Sequence, residues 1–440
     1  VKGTVKTPIA TRRAGPPLVH LASLGCAKNL VDSERILGRL AAAGAVVGAP
    51  AEEAEIILVN TCGFIDAARR ESVETILRLA EQKRAGRCRT LIVMGCLAQR
   101  SAGELRRELR EVDGVFGLGQ EEDILAACGL RAHVGHEAGR FLLTPRHTAY
   151  LRVADGCSNR CAYCAIPLIR GPFRSRPAPE ALDEARLLVR NGARELNLIG
   201  QDTTLYGTDL PGSPDISGLI HSVAGIPRLH WLRLLYTHPA HWTDALIDTF
   251  RAVPKLCPYV DLPLQHLNDD ILRRMGRRVT QARIVDLIAR LRKRVPGLAI
   301  RTALITGFPG ETPAQFREML RLVELLRFDH LGVFAYSREP GTPAARLPRQ
   351  VTPAVAQRRR EEIMLAQQSI VFSRNRALRG TKIEVVIEVP AGKDRWQSRS
   401  RTQAPDVDGV TYVKGKGLQT GEFTRVTVTG AKEYDLVAEE

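Results

Sequence analysis

No stretch of this chain approaches the roughly 18 unbroken apolar residues that a membrane-crossing helix needs, and no apolar run follows a basic start as in a secretory signal. Neither a helical membrane protein nor an exported one is expected. Tandem repeats and low-complexity tracts are also missing, and the one periodicity is an alternation of strand-like and helix-like segments. A cytoplasmic, reducing setting follows, in which the 9 cysteines of the 440 residues read as metal ligands or redox groups rather than cross-links. Acidic residues are in deficit, 48 against 64 basic ones, leaving a net charge of +16. Such a surplus often accompanies a nucleic-acid or ribosomal partner.

Three of the cysteines, Cys157, Cys161 and Cys164, lie together in GCSNRCAYC. A zinc site would pair two CxxC units or add histidines further on, and neither a fourth cysteine nor a nearby histidine completes such a set here. A 4Fe-4S cube takes four thiolates, so a loop that supplies three leaves one iron open to a non-protein ligand.

A second set is dispersed. LVHLASLGC, EIILVNTC and TLIVMGC are apolar runs closed by Cys26, Cys62 and Cys96, spaced 36 and 34 residues apart with helix-like stretches between. This period predicts βαβ units and a parallel sheet, in which ligands bind outside the carboxyl ends of the strands. Three cysteines at three strand ends can therefore converge on a second three-thiolate site. Burial explains any one of them, free cysteine being among the most buried residue types, but explains three successive strand ends less well. Cys88, Cys128 and Cys257 lack partners at ligand spacing and read as structural.

The chain reads as α/β with three ordered parts. Residues 1–16 have no periodic pattern and are expected to be disordered. Residues 17–130 form the parallel unit just described. Over 146–375, six strand-like runs (AYLRVADGC, ELNLIGQD, WLRLLYTH, YVDLPLQH, AIRTALITGF, HLGVFAYS) alternate with helices, which predicts a barrel-like parallel sheet with its site at the strand carboxyl ends. The cluster cysteines directly follow the first of these strands. Residues 380–440 hold short β-branched runs separated by Gly and Asp and predict a small antiparallel β-barrel.

CSNRCAYCAIPLIRGPFRSR resembles the core motif of the radical S-adenosylmethionine (SAM) enzymes, in the form carried by the methylthiotransferases. GCAKNLVDSE and NTCGFIDAARRESVETI resemble the amino-terminal domain of those enzymes, and the last 60 residues or so resemble their TRAM domain. The resemblance implies an incomplete barrel of six units and two 4Fe-4S clusters, one on Cys157, Cys161 and Cys164 that binds and cleaves SAM, and an auxiliary one on Cys26, Cys62 and Cys96. It also implies that Tyr163 lies near the adenine of SAM, Gly200 and Gln201 near its methionyl end, and Gly307, Pro309 and Gly310 near the nucleoside. A packing aromatic and turn residues account for these positions equally well. Arg170, Arg174 and Arg176 suit a carboxylate or a solvated surface. His238 and His266 stand in no nucleophile or zinc motif and are given no chemistry.

The family modifies either adenosines of transfer RNA or an aspartate of the twelfth small-subunit ribosomal protein. CAKNLVDSE, IGQDTTLYG with its Asp202, APDVDGVTYVKG and EYDL resemble the second branch, while Ala27 and Gly200 depart from its usual Pro and Ser without touching a ligand. A terminal module acting as a general RNA clamp should be basic, yet residues 381–440 hold nine basic and ten acidic side chains, whereas 267–301 hold ten basic and three acidic. The implied reaction is methylthiolation of the aspartate β-carbon, using two SAM molecules, a sulfur donor and an electron donor such as flavodoxin or ferredoxin. The unactivated C–H bond there lies beyond acid–base catalysis, so a radical route is needed. Two alternatives are the same chemistry on transfer RNA, and a non-catalytic iron–sulfur RNA-binding factor.

Overall fold

The computed structural model describes residues 15–131 and 139–440, so the disordered start expected over 1–16 falls almost wholly outside the described residues. The chain separates into two compact units, residues 1–143 with 165–172 and residues 144–164 with 173–440. No described helix is long and apolar enough to cross a membrane.

The first unit alternates β1 (Leu18–Ser23), α1 (Ala27–Ala42), β2 (Val46–Val47), β3 (Ile56–Thr61), α2 (Asp66–Arg84), β4 (Thr90–Gly95), α3 (Cys96–Glu108), β5 (Gly114–Phe116) and α4 (Glu121–Ala127). The strands are parallel in the order β2-β1-β3-β4-β5. β3 is buried at every position, as a strand covered on both faces must be. Alternation sends Ile57 and Val59 with Leu91 and Val93 to one face, against Ile76 and Leu79 of α2 and Leu97 of α3. Ile56, Leu58, Ile92 and Met94 take the other face, against Ile36, Leu37 and Leu40 of α1 and Ile124 and Leu125 of α4. A later short helix, α5 (Ile166–Arg170), also packs in this unit, with Ile169 against Cys96.

In the second unit the strands β6 (Thr148–Arg152), β7 (Ala154–Asp155), β8 (Arg174–Ser175), β9 (Glu195–Ile199), β10 (Trp231–Leu234), β11 (Leu256–Asp261), β12 (Ala299–Thr306) and β13 (His330–Ala335) alternate with α6 (Ala178–Arg190), α7 (Ile216–Ala224), α8 (Asp244–Ala252), α9 (Asp269–Arg274), α10 (Gln281–Arg294) and α11 (Pro313–Leu326). Six of the strands form an open parallel sheet in the order β13-β12-β11-β10-β9-β6, and β7 pairs with β8 beside it. These are the six runs predicted from the sequence.

α12 (Pro353–Ala377) then leads to β14 (Lys382–Gly392), β15 (Arg395–Ser400), β16 (Thr411–Lys414), β17 (Phe423–Lys432) and β18 (Asp435–Glu439), a closed barrel. The pairing differs from the fully antiparallel expectation at one ladder, β16 with β18, which is parallel. A ring of five strands cannot alternate direction all the way round, so one parallel pair is required.

The amino-terminal end of the six-stranded sheet is sealed by this barrel. Glu195 of β9, fully buried, accepts hydrogen bonds from Arg399 of β15 (2.6 and 3.2 Å), Thr148 of β6 (3.0 Å) and Arg233 of β10 (3.3 and 3.4 Å). Arg233 also donates to the Arg401 carbonyl and lies 4.8 Å from the Tyr259 ring centroid. In the loop between β15 and β16, Asp408 accepts from Tyr259 at 2.7 Å and from Arg301 at 2.5 Å, and Thr402 accepts from His330 at 2.7 Å. Burial opposes ionisation of Glu195, but Arg399 and then Arg233 overcome it and hold the carboxyl at about 2.

Removing one partner of a buried ion pair leaves a charge unmatched, at about 3–5 kcal/mol. Glu195→Gln is therefore expected to lower the free energy of unfolding by that amount, read from urea denaturation at neutral pH, and an unchanged midpoint would contradict it. The folded pKa is depressed, so the stabilisation is full above the unfolded value near 4.5 and fades as pH falls toward about 2. The gap between parent and variant should narrow across that window.

Candidate active site

In the first unit the sheet delivers the dispersed cysteines as expected. Cys26 follows β1 and caps α1, Cys62 follows β3, and Cys96 follows β4 as the first residue of α3. Helix amino termini favour bound negative charge, and two of the three thiols sit at one. Each thiol influences its neighbours electrostatically: Cys26 bears on Cys62, and both bear on Cys96. Burial pushes Cys96 up to about 12 and raises Cys62. At Cys26, whose side chain still meets solvent, burial also opposes ionisation, but Lys28, the Asn29 and Lys28 backbone N–H groups and Arg170 together hold the thiol below its ordinary value.

Two glycines make the convergence possible. Gly25 has φ 91°, and a Cβ there would stand 2.9 Å from Cys62 Cβ. Gly95 has φ 95°, and a Cβ there would overlap the Asn60 side-chain oxygen and lie 2.8 Å from the Thr61 carbonyl oxygen.

Buried asparagines then tie the strand ends together. Asn29 donates to the Leu24 and Thr61 carbonyls (both 2.9 Å), and Asn60 donates to the Asn29 carbonyl and Ser33 Oγ (both 2.8 Å). Asn29 Oδ1 accepts from Cys96 (3.2 Å) and from Arg170 (3.1 Å). Arg170, taken from sequence as a carboxylate partner or a surface charge, is buried, paired with Asp32 at 2.7 Å and 3.7 Å from Cys96 Sγ. Asn29, Asn60 and Asp32 escaped sequence reasoning, although CAKN and VNTC place the first two within three residues of Cys26 and Cys62.

In the second unit, the loop of Cys157, Cys161 and Cys164 follows β7 at the carboxyl end of β6. Arg160 takes the left-handed conformation, φ 54°, at its turn. Ala162 N–H donates to the Met275 carbonyl and Cys164 N–H to the Cys161 carbonyl (2.8 and 3.1 Å). Arg277, after α9, donates from Nη1 toward Cys161 Sγ at 3.9 Å. Tyr163 packs among Ile271, Met275 and Phe308, a covered position that accounts for an aromatic there.

Asp202, noted from sequence only as a branch marker, organises the rim. Its Oδ2 accepts from Asn159 (2.7 Å) and pairs with His241 Nδ1 (2.9 Å), and its Oδ1 accepts from Thr204 N–H (3.1 Å). His238, given no chemistry from sequence, stacks on His241 with ring centroids 4.7 Å apart. Among the described residues, Asp202, His238 and His241 are the set of three metal-type side chains with ligand atoms all within 4.8 Å of one another. Both Asp202 oxygens are already hydrogen-bonded, so the cluster reads as a bracket holding the Asn159 loop to the end of β10.

Gln201 donates to Asp155 (2.9 Å) while its Oε1 is buried without a partner. His238 Nδ1 accepts from Ala240 N–H (3.2 Å), which assigns the proton to Nε2, itself buried and unpaired. Arg277 Nε and both Asn197 amide atoms are likewise unpaired. Gly200 meets only ordinary contacts with Ala154 and Thr203. Gly307, at φ 73°, is pressed against Ala356, and Arg274 donates to the Pro309 and Gly310 carbonyls (3.5 and 3.2 Å). Packing thus explains the glycine at 307, and Arg274 fills the space beside Gly310.

Family models match the radical SAM superfamily over residues 151–323, the uncharacterized protein family UPF0004 over 18–117 and the TRAM domain over 380–440. Proteins named ribosomal protein uS12 methylthiotransferase RimO are similar to the whole chain: 48% identity in Geobacter sulfurreducens and 46% in both Geotalea uraniireducens and Syntrophus aciditrophicus, each covering 96% of this chain and 98% of the relative. Among solved structures, the radical S-adenosylmethionine methyltransferase TsrM from Kitasatospora setae, with cobalamin and a 4Fe-4S cluster bound, aligns with TM-score 0.53 and 16% identity over 75% of this chain and 77% of its own. That likeness concerns the fold alone.

Removing the Asp202 carboxylate leaves Asn159, Thr204 and His241 without their acceptor. In a chain with Cys26, Cys62 and Cys96 changed to Ala, Asp202→Ala is expected to weaken iron retention about 10–100-fold, as loss of an outer partner does. Release of iron to a chelator measures this, and retention equal to the Asp202 parent would count against it.

Proposed function

Because the chain belongs to the RimO family of ribosomal protein uS12 methylthiotransferases, we propose that it attaches a methylthio group to the β-carbon of an aspartate in uS12. The observation that carries the reading is a three-thiolate loop at a strand carboxyl end, beside buried polar atoms that no protein group satisfies: Gln201 Oε1, His238 Nε2 and Arg277 Nε. Each such atom costs about 1–3 kcal/mol if left unmatched, so the mouth of the sheet is built for a polar guest.

We assign one 4Fe-4S cluster to Cys157, Cys161 and Cys164 and a second, auxiliary one to Cys26, Cys62 and Cys96. With SAM and these clusters in place, the cofactors supply a carbon radical able to take hydrogen from an unactivated carbon, together with the methylthio group. The protein's own part is placement. Gln201 Oε1 accepts from an ammonium, while His238 Nε2 and Arg277 Nε donate to carboxylate oxygens, which matches the charged groups of SAM and of the substrate aspartate. Gly200 keeps the backbone open beside Gln201, and Tyr163, Gly307, Pro309 and Gly310 frame the nucleoside. An electron carrier such as flavodoxin or ferredoxin supplies the electron, and the ribosomal location of uS12 makes the cytoplasm the working compartment.

The transfer RNA alternative is disfavoured, since the relatives that span the chain carry the ribosomal-protein name. Cys161→Ala is expected to abolish release of 5′-deoxyadenosine from SAM, and Cys62→Ala to retain cleavage but stop sulfur transfer. The two products are read by mass spectrometry of the reaction and of uS12. A Cys62→Ala enzyme that still adds the methylthio group would overturn the auxiliary assignment, and iron near four rather than about eight atoms per chain would remove the second cluster.

A further inference from the structure

The cluster loop is approached from outside by a basic basin. Asn159 and Arg160, which lie between the ligands Cys157 and Cys161, line a concave volume of about 640 Å³ together with Arg273, Arg277, Arg278 and Arg283. Arg160, Arg273, Arg278 and Arg283 are exposed, while Arg277 is buried beneath. Asp269, the one acid in the lining, accepts from Gln281 N–H, and the nearby Asp270 pairs with Arg273. Five arginines against these two acids leave the basin positive.

Its wall is thin. A Cβ on Gly276 would stand 3.1 Å from the Arg160 carbonyl oxygen and 3.8 Å from Cys161 Cα, and Met275 accepts from Ala162 N–H at 2.8 Å. The backbone after α9 thus lies in direct contact with the ligand loop, and the buried Arg277 side chain links the basin floor to Cys161.

We propose that this basin is the docking surface for an acidic one-electron carrier protein, a proposal that rests on the cluster assignment above. The carrier gives up one electron and the cluster accepts it, with no atom transferred. Reduction of a covered cluster needs a partner that comes close to the ligand loop, and exposed guanidiniums grouped around one concavity steer a negatively charged surface there. An RNA backbone would call for cations strung along a track, whereas these surround a single spot. Electron-transfer complexes are small and brief, which suits a contact made through a few charges.

The test mixes the reconstituted enzyme with reduced flavodoxin without air and follows bleaching of the cluster absorbance by stopped flow. The parent rate should fall as salt rises. Arg278→Glu with Arg283→Glu should lower the second-order rate at low salt by about ten-fold or more and flatten its salt dependence, while Arg278→Lys with Arg283→Lys keeps both. Reduction by dithionite, and 5′-deoxyadenosine formed with it, should be unchanged in every variant. A flavodoxin rate and salt slope unaltered by the charge reversal would overturn the proposal. So would an unaltered rate combined with weaker binding to small ribosomal subunits, which would give the basin to RNA. Absence of 5′-deoxyadenosine from the parent with dithionite would instead refute the proposed function, leaving the docking comparison intact.

Discussion

A parallel sheet collects the carboxyl ends of its strands along one edge and the amino ends along the other, and in such sheets ligands sit at the first. Both sheets of this chain obey that constraint. In the first unit it brings Cys26, Cys62 and Cys96, far apart in sequence, to the ends of adjacent strands β1, β3 and β4. In the second it sets the Cys157 loop, Gln201, Asp202 and His238 at the ends of β6, β9 and β10. Loops at such ends can vary without disturbing the ladders beneath, so chemistry is placed by topology and adjusted by side chains.

The same constraint creates a liability at the opposite edge, where the open six-stranded sheet must be covered. Here the cover is polar. Glu195 lies between Arg233 and Arg399, and Asp408 between Tyr259 and Arg301. A buried ion pair is seldom more stabilising than an apolar contact of equal size, but its geometry is unforgiving. The carboxylate of β9 meets the fork of Arg399 in one register, which fixes how the closing barrel seats on the sheet.

Legibility in the sequence followed the distance between interacting residues. The loop of Cys157, Cys161 and Cys164 is local, and its spacing alone implied an open iron. The placement of Cys26, Cys62 and Cys96 at adjacent strand ends was readable because the βα period stands in for three-dimensional proximity. Asn29 and Asn60 were not, since a buried asparagine bridging strand ends has no pattern distinct from a turn residue. Arg170 lies 141 residues from Asn29 and Arg399 lies 204 from Glu195, separations at which a single sequence carries no pairing signal. His238 looked isolated because it is tied in through stacking on His241, whose partner Asp202 comes from a different strand end. The one parallel ladder of the closing barrel was missed for another reason: it follows from the strand count rather than from any residue.

Charge distribution joins these features. The closing barrel has a near-even balance of charge, and several of its charged side chains, Glu384, Arg399 and Asp408, are engaged in holding the barrel to the sheet. A module whose charges are committed inward has few left for phosphate, which argues against a general RNA clamp on grounds independent of net charge. A large share of the basic surplus, ten basic against three acidic side chains over 267–301, lies instead in the stretch that carries α9 and α10, beside the loop of Cys157, Cys161 and Cys164. Steering by such a patch acts on the rate of encounter more than on the strength of the final complex. It therefore suits a partner that must arrive, deliver and leave in each turnover.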